Sequence, residues 1–375
     1  MSTALIVTTD MGGNLPPLLG VGAELVARGW DVVVHADDRV RSRAQAHGLR
    51  FEQAAGVAYD AAEDRTLLQA LRDIPAFWAD RARGRDAVAL ARRIGAEVAV
   101  VDVLLVGALA ELEAAGIRTV VVVHSTWEGV RSWFGGPIGA LLKVRGVDPA
   151  RTLAAADRVL VASSPRLGRP FPMPANALVI GPVLQEVPTP AARPARPLAL
   201  VSLSTVAFPG QREAFQRVLD AAAALPADVR AGTGRAVPAE ALRPGANTTL
   251  EPLVDHGALM PSASVVVTHG GHATTVRALA HGLPLLLVPM HPMMDQPRIA
   301  KAVVAAGAGL AVPKSASADR IREALRRLLG EPAFAEAAGR LGAELVAADG
   351  RRRAADEVER VARTAAARTE RRAAS

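Results

Sequence analysis

Between Ser264 and Val288 the chain reads SVVVTHGGHATTVRALAHGLPLLLV. This order predicts an apolar strand over Ser264–Val267, a His-Gly-Gly turn, a helix from about Ala273 to Ala280, a Gly-Leu-Pro turn and a second apolar strand over Leu285–Val288. Two strands apolar on both faces and joined by one helix belong in a parallel sheet with helices covering it. Gly270 and Gly271 let a ligand approach the backbone closely, and the helix that follows aims unpaired N–H groups at that point. Such a corner suits a diphosphate. His269 adds a donor that can carry charge.

The same alternation runs through the rest of the chain. Strands are expected at Ala4–Thr8, Asp31–His35, Phe51–Gln53, Glu97–Val101 and Thr119–His124. Helices are expected at Pro16–Arg28, Arg39–His47, Asp64–Ala82, Asp86–Ile94 and Leu105–Ala115. Pro16 opens the first helix and Gly29 lies just past its end. A proline-rich segment, QEVPTPAARPARP over Gln185–Pro197, reads as a linker. Alternation then restarts with Leu198–Leu203, a helix over Glu213–Ala224, Val229–Ala231 and Thr248–Leu250. From Asp319 onward the pattern is helical to the end. The expected fold class is α/β, with two Rossmann-like doubly wound parallel-sheet domains facing a cleft. The expected boundaries are 1–184, a linker 185–197, 198–350 and a C-terminal helical tail 351–375.

Composition narrows the function classes. At 375 residues the chain can bury two cores. It has no cysteine, which removes disulfides, thiolate catalysis and Cys-based zinc sites. The net charge of +7 comes from scattered arginines, and aromatics are only 3% of residues, so no nucleic-acid face is expected. The densest basic groups, Arg351–Arg353 and Arg371–Arg372, fall in the tail. The start, MSTALIVTTD, lacks a basic n-region and a long apolar core, so no secretory leader is expected. The longest apolar stretch, Val98–Ala110, is interrupted by Asp102 and too short for a bilayer. These points predict a cytoplasmic protein without a membrane span.

The motif around His269 resembles the donor-binding signature of the UDP/TDP-sugar glycosyltransferases with the two-domain GT-B fold, above all bacterial members that decorate secondary metabolites. The matching residues are His269-Gly270-Gly271, Ala273-Thr274, Gly282-Leu283-Pro284 and Asp295-Gln296. The resemblance implies that His269 contacts the donor diphosphate while Gly270, Gly271, His272, Thr274 and Thr275 supply backbone and hydroxyl donors. It also implies that Asp295 and Gln296 hold sugar hydroxyls, that Ser204-Thr205 lie beside the phosphates and that the Val254 backbone meets the base. Each has an ordinary alternative: a turn histidine at 269, a filled turn at His272, and helix N-caps at Asp295 and at Ser204-Thr205. Leu253 stands where plant-type members stack a Trp, Arg277 where they place a ribose-binding Glu, and Ile299 where Asn is frequent.

The other half departs more sharply. The family's general base sits in a Gly-His-Val-Asn-Pro-like turn after the first strand. Here that turn reads Gly12-Gly13-Asn14-Leu15-Pro16-Pro17, and Gly13 cannot take a proton. Asp102, after the strand Val98–Val101, matches the family's bracing aspartate. His124 follows the next buried strand, at the same rim. We therefore expect His124 and Asp102 to replace the missing pair as base and orienter, with Asp10 as the rival base. A strand-end histidine and a capping carboxylate are the plain alternatives. Trp127, Trp133 and Phe134, in the Gly-containing loop after His124, with Trp78 and Asn14, are expected on the acceptor side, or else simply pack that loop down.

The sequence thus predicts transfer of a sugar from a nucleoside diphosphate (UDP or TDP) to a small aromatic or polycyclic natural-product acceptor, with inversion and without a metal or other cofactor. A homodimer is compatible with it. The alternatives are a degenerate relative that binds a sugar nucleotide as sensor or helper subunit, and a sugar-nucleotide epimerase.

Overall fold

The computed structural model of the protein describes residues 1–375 other than 170, 186, 187, 189–193, 293, 374 and 375, and no side chain of residues 365–373. The expected linker Gln185–Pro197 falls largely outside the described residues, as do the side chains of Arg371 and Arg372. Among the described residues no helix is long and apolar enough to cross a membrane.

Two parallel sheets carry the fold. The first holds β1 (Thr3–Val7), β2 (Asp31–Ala36), β3 (Arg50–Gln53), β4 (Val98–Asp102), β5 (Thr119–Val123), β6 (Arg158–Val161) and β7 (Ala177–Val179), in the order β3-β2-β1-β4-β5-β6-β7. The second holds β8 (Leu198–Ser202), β9 (Asp228–Gly232), β10 (Thr248–Glu251), β11 (Val265–Thr268), β12 (Leu285–Leu287) and β13 (Gly309–Ala311), in the order β10-β9-β8-β11-β12-β13. The central strands are apolar without alternation because helices cover both faces. Leu5, Val7, Val101 and Val121 enter one layer, while Ala4, Ile6, Val100 and Val120 enter the layer behind. Each fully buried Val, Leu or Ile is worth about 1.5–3 kcal/mol. That return is what holds these short strands in register, with Val7 opposite Val101 and Val101 opposite Val121.

Several boundaries differ from expectation for local reasons. The helix expected over Asp64–Ala82 ends at Trp78, and the next begins at Arg81 rather than Asp86. Asp80 causes the break. Its carboxylate accepts from the amides of Ala82 and Arg83 and so starts a new helix, a cap worth about 1 kcal/mol. The segment holding Trp127, Trp133 and Phe134 is a helix, Trp127–Phe134, not a loop; Thr126 caps it by accepting from the Gly129 amide at 3.2 Å. The helical run after Asp319 divides into Ala318–Gly330, Pro332–Ala347 and Gly350–Ala373, with Pro332 and the left-handed Asp349 at the breaks. The last helix returns to the first sheet. Ala354, Ala355 and Val358 are fully buried in the layer behind β1 and β4, and Asp356 pairs with Arg28 at 2.7 Å.

Strand order reverses between β1 and β4 in one sheet and between β8 and β11 in the other. Open parallel sheets bind ligands beyond the carboxyl ends of their strands at such reversals. The loops after β1 and β5 meet the loops after β8, β11 and β12 there: Gly12 lies against Thr205, Gly13 beside Ala273, and Ser125 bonds to Asp295.

Candidate functional site

The second half contributes a cradle of donors. β11 ends at Thr268, and the helix His272–Ala280 begins after three residues with no side-chain cap on its first turn. Gly270 holds φ +84°, which L side chains rarely adopt. A Cβ on Gly271 would lie 2.4 Å from His269 Nε2, so the second glycine makes room for the imidazole. Four side-chain atoms at this corner are buried without a hydrogen-bond partner: Thr268 Oγ1, His269 Nδ1, His272 Nδ1 and Thr275 Oγ1. Buried polar atoms are nearly always paired. Together with the open helix N-terminus they fit an anion with several oxygens. Thr274 lies half-buried in the same turn.

The histidines here are neutral donors, not cations. Burial drives His269 down to about 4 against a small opposing pull from the Ser202 backbone. It drives His272 to about 3, helped by the nearby His124. His269, expected as a donor that can carry charge, is thus a neutral donor in the free protein. His272 neither fills the turn passively nor faces solvent: its Nε2 is 2.8 Å from Ser163 Oγ, across the seam between the halves.

The loop after β8 closes the cradle. Ser204 is buried at φ 137°, one of two non-glycine residues with positive φ among those described. Its hydroxyl accepts from the Val206 amide at 2.9 Å, and its carbonyl from Gln211 Nε2 at 3.2 Å. The helix Gln211–Ala223 is capped at Gly210, so Ser204-Thr205 is not an N-cap. Thr205 Oγ1 instead lies against Gly12, where a Cβ would come within 2.9 Å. Backbone strain of this kind costs about 1–3 kcal/mol and persists where the surroundings enforce it. Ser204→Gly is therefore expected to keep or raise the melting temperature. Ser204→Val, β-branched at this φ, is expected to lower stability by about 1–3 kcal/mol. Thermal denaturation of the two variants checks both. Val254 packs on Gly232, and its neighbour Leu253 is 65% exposed.

Asp295 and Gln296 are placed differently from expectation. Asp295 occupies the N-cap position of the helix Gln296–Ala305 but makes no cap bond. Its buried carboxylate instead accepts from Ser125 Oγ of the other half. Burial raises its pKa, opposed by the Ser125 bond and by His124. Gln296 Oε1 accepts from the amides of Met290 and His291, at 2.7 and 3.2 Å. It braces the preceding loop with the oxygen that was expected to hold a sugar hydroxyl.

In the first half, Asp102 is wholly buried at the end of β4. Its oxygens accept from Asn14 Nδ2 at 2.5 Å, Thr8 Oγ1 at 3.3 Å and the Leu104 amide at 3.0 Å. His124 Nδ1 lies 3.7 Å from Asp102 Oδ1, an ion-pair distance rather than a hydrogen bond. That imidazole is buried, and Nδ1 has no hydrogen-bond partner. Burial lowers its pKa while Asp102 and Asp295 pull it back up. His124 therefore sits between a carboxylate of each half.

Two expected residues take other work. Asp10 accepts from the Gly12 amide at 3.1 Å and pairs with Arg43 at 2.5 Å, so a guanidinium occupies the rival base. Asn14 is buried and bonded to Met11, Thr9 and Asp102; it braces the first loop and does not line an acceptor surface. Gly13 rests beside Ala273 of the donor helix, where a Cβ would lie at 3.6 Å. Trp78, Trp133 and Phe134 do come together beside His124: Trp78 is 6.3 Å from Trp133 and 6.0 Å from Phe134, and Trp133 is 6.0 Å from His124. Trp127 is half-buried, with its Nε1 donating to the Pro172 carbonyl at 3.0 Å.

Ser125 and Ser163, which reach across the seam, were not anticipated from the sequence. Ser125 adjoins His124, but nothing local distinguishes it from any strand-end serine. The seam is further closed by Arg235 on Asp60 at 3.0 Å, Arg298 on Glu128 at 3.2 Å and a backbone bond from Ala207 to Ala61 at 3.0 Å.

Comparison with known proteins agrees with this geometry. Residues 216–360 match the family model described as Erythromycin biosynthesis protein CIII-like, C-terminal domain. The chain is 28% identical to 4'-demethylrebeccamycin synthase of Lentzea aerocolonigenes, over 92% of this chain and 96% of that protein. Among solved structures, the glycotransferase of kitacinnamycin superposes with a TM-score of 0.76 at 25% identity, over 96% of this chain and 99% of the other. The glycosyltransferase VinC in complex with DTDP superposes with a TM-score of 0.71 at 22% identity, over 96% and 100%.

Proposed function

We infer that this chain, a GT-B nucleoside-diphosphate-sugar glycosyltransferase with an EryCIII-like C-terminal domain, moves a sugar from thymidine diphosphate to a hydroxyl of an aromatic natural product with inversion at the anomeric carbon. One observation carries the reading. The only imidazole flanked by carboxylates of both halves, among the described residues, is His124, and it sits beside the seam where the unpartnered donors of the 268–275 corner converge.

In the proposed mechanism the diphosphate lies on the first turn of the helix His272–Ala280, held by its amides, His269 and the hydroxyls of Thr268 and Thr275. Negative charge grows on the diphosphate as the sugar leaves, and pre-aimed donors stabilise that charge more than the ground state. His124 takes the acceptor hydroxyl proton as the oxygen attacks the anomeric carbon from the side opposite the diphosphate. Asp102 then stabilises the imidazolium. It is itself fixed by three donors, so it holds its position without reorganising. Asp295, near His124, meets the sugar in this mechanism once Ser125 yields it. The mechanism invokes no metal.

Thymidine is the favoured base because of what stands at Arg277. A ribose 2'-hydroxyl would find no carboxylate there, whereas deoxyribose needs none. The solved structure of VinC, similar in fold, is a complex with DTDP. Titration calorimetry with TDP and UDP, followed by incubation of TDP-sugars with phenols, tests the assignment. TDP is expected to bind more tightly than UDP, with sugar transfer to a phenol. Binding without transfer would point to a sensor or helper subunit, a changed free nucleotide sugar to an epimerase, and no binding of either nucleotide would end the reading.

A further inference from the structure

The helix that follows His124 carries Trp127 and Trp133, Trp78 of the helix Leu67–Trp78 packs beside Trp133, and the three indoles differ in one respect. Trp127 Nε1 has a partner, the Pro172 carbonyl. Trp78 Nε1 and Trp133 Nε1 are buried and have none. A buried indole N–H usually finds an acceptor, and leaving one unpaired forfeits a hydrogen bond worth keeping. These two donors are also not scattered. Trp78 and Trp133 touch through rings 6.3 Å apart, Trp133 stands 6.0 Å from the His124 imidazole, and His124 Nδ1 is itself unpartnered. Trp78 is 5% exposed, while Trp133 keeps part of its ring open. The surroundings are largely aromatic: Phe77 and Tyr59 are buried in the same layer, and Phe134 packs against it.

We infer that Trp78 and Trp133 are a pair of hydrogen-bond donors for the acceptor, and that this surface selects hydroxylated aromatic ketones and quinones over plain hydroxyarenes. The inference rests on the glycosyltransferase reading and names its acceptor class. The flat rings take an aromatic core. His124 takes the proton of the nucleophilic hydroxyl. The indole N–H groups of Trp133, whose ring stands 6.0 Å from that imidazole, and of Trp78, whose ring stands 6.3 Å from Trp133, take carbonyl oxygens carried by the same core. An arene without those oxygens would leave both donors buried and unpaired, and a site built to hydrogen-bond a substrate group discriminates strongly against an analogue that lacks it.

Replacing indole by phenyl removes the N–H and keeps a flat aromatic ring, so Trp78→Phe and Trp133→Phe test the claim directly. Each protein is assayed with 2-hydroxyanthraquinone and 2-hydroxyanthracene, and the ratio of the two kcat/KM values is compared. The intrinsic acidities of the two phenols are the same for every variant and cancel in that comparison. The ratio is expected to fall by about 5–100-fold in at least one variant, the range that corresponds to leaving one buried polar group unpaired. Equilibrium dialysis of the same two compounds reads the preference as a ratio of Kd values without any turnover. Near-ultraviolet circular dichroism and the melting temperature report that the half carrying Trp78 and Trp133 has folded in each variant, and TDP affinity reports the same for the other half. A ratio unchanged within twofold in both variants, by kinetics and by dialysis, would overturn the acceptor class and leave the transferase assignment standing. Absence of transfer and of TDP binding in the unaltered protein would instead remove the transferase assignment, while dialysis would still decide the role of the indoles.

Discussion

His124→Ala lowers kcat by about 10²–10⁴ with little change in TDP affinity, because a general base typically contributes that much and the imidazole is not among the groups proposed to hold the diphosphate. The expected pH behaviour follows from the same geometry. Burial holds the His124 pKa below its usual value, so the imidazole is neutral and competent at pH 7. As pH falls through the depressed pKa the base gains a proton and the rate is lost; above it the rate is flat. Asp102 pulls that pKa upward. Asp102→Asn should therefore shift the acid limb to still lower pH while reducing kcat, since the imidazolium loses the carboxylate that stabilises it. Stopped assays from pH 4.5 to 8 on the three proteins read both effects. A His124→Ala enzyme within threefold of wild type at every pH would eliminate His124 as the base.

His269→Ala is the second large effect. Loss of one pre-aimed donor to a developing oxyanion costs about 10²–10³ in rate. The imidazole lies directly over Gly271, and burial lowers its pKa to about 4, so it is neutral at pH 7. Its grip in the free protein is that of an N–H donor. A bound diphosphate would raise its pKa, because opposite charge favours the protonated form. Donor binding should accordingly take up protons near pH 6, and the His269→Ala variant should not. Calorimetry in buffers of different ionisation enthalpy measures that uptake, and single-turnover transfer measures the rate. A variant with unchanged rate and unchanged uptake would place the diphosphate elsewhere.

Much of the second half was legible residue by residue. Strand, turn, glycines and helix follow one another between Val265 and Ala280, so the donor corner is a local structure and its parts are covalent neighbours. Alternation of unbroken apolar strands with helices was equally legible, because burial on both faces demands it. Short elements were harder. β6 and β7, four and three residues long, carry too little periodicity to register. The helix Trp127–Phe134 resembled a loop because its cap, Thr126, and its glycine neighbours read as turn residues. Asp80 looked like the interior of a helix, and only its bonds to Ala82 and Arg83 show it to be a boundary.

The chain by itself determined two parallel sheets and the strand-turn-helix corner at His269, since both depend on contacts among near neighbours and on the period of burial. The tertiary structure decided which groups share the cleft. Ser125 reaches Asp295 across 170 residues, and Asn14 reaches Asp102 across 88. It thereby withdrew Asn14, Asp10 and the Gln296 oxygen from the roles expected of them, and it set His124 between two carboxylates. The physical reason is that a side chain's partners across a seam are fixed by sheet register and by how the two halves close, and neither is written in the spacing of residues along the chain.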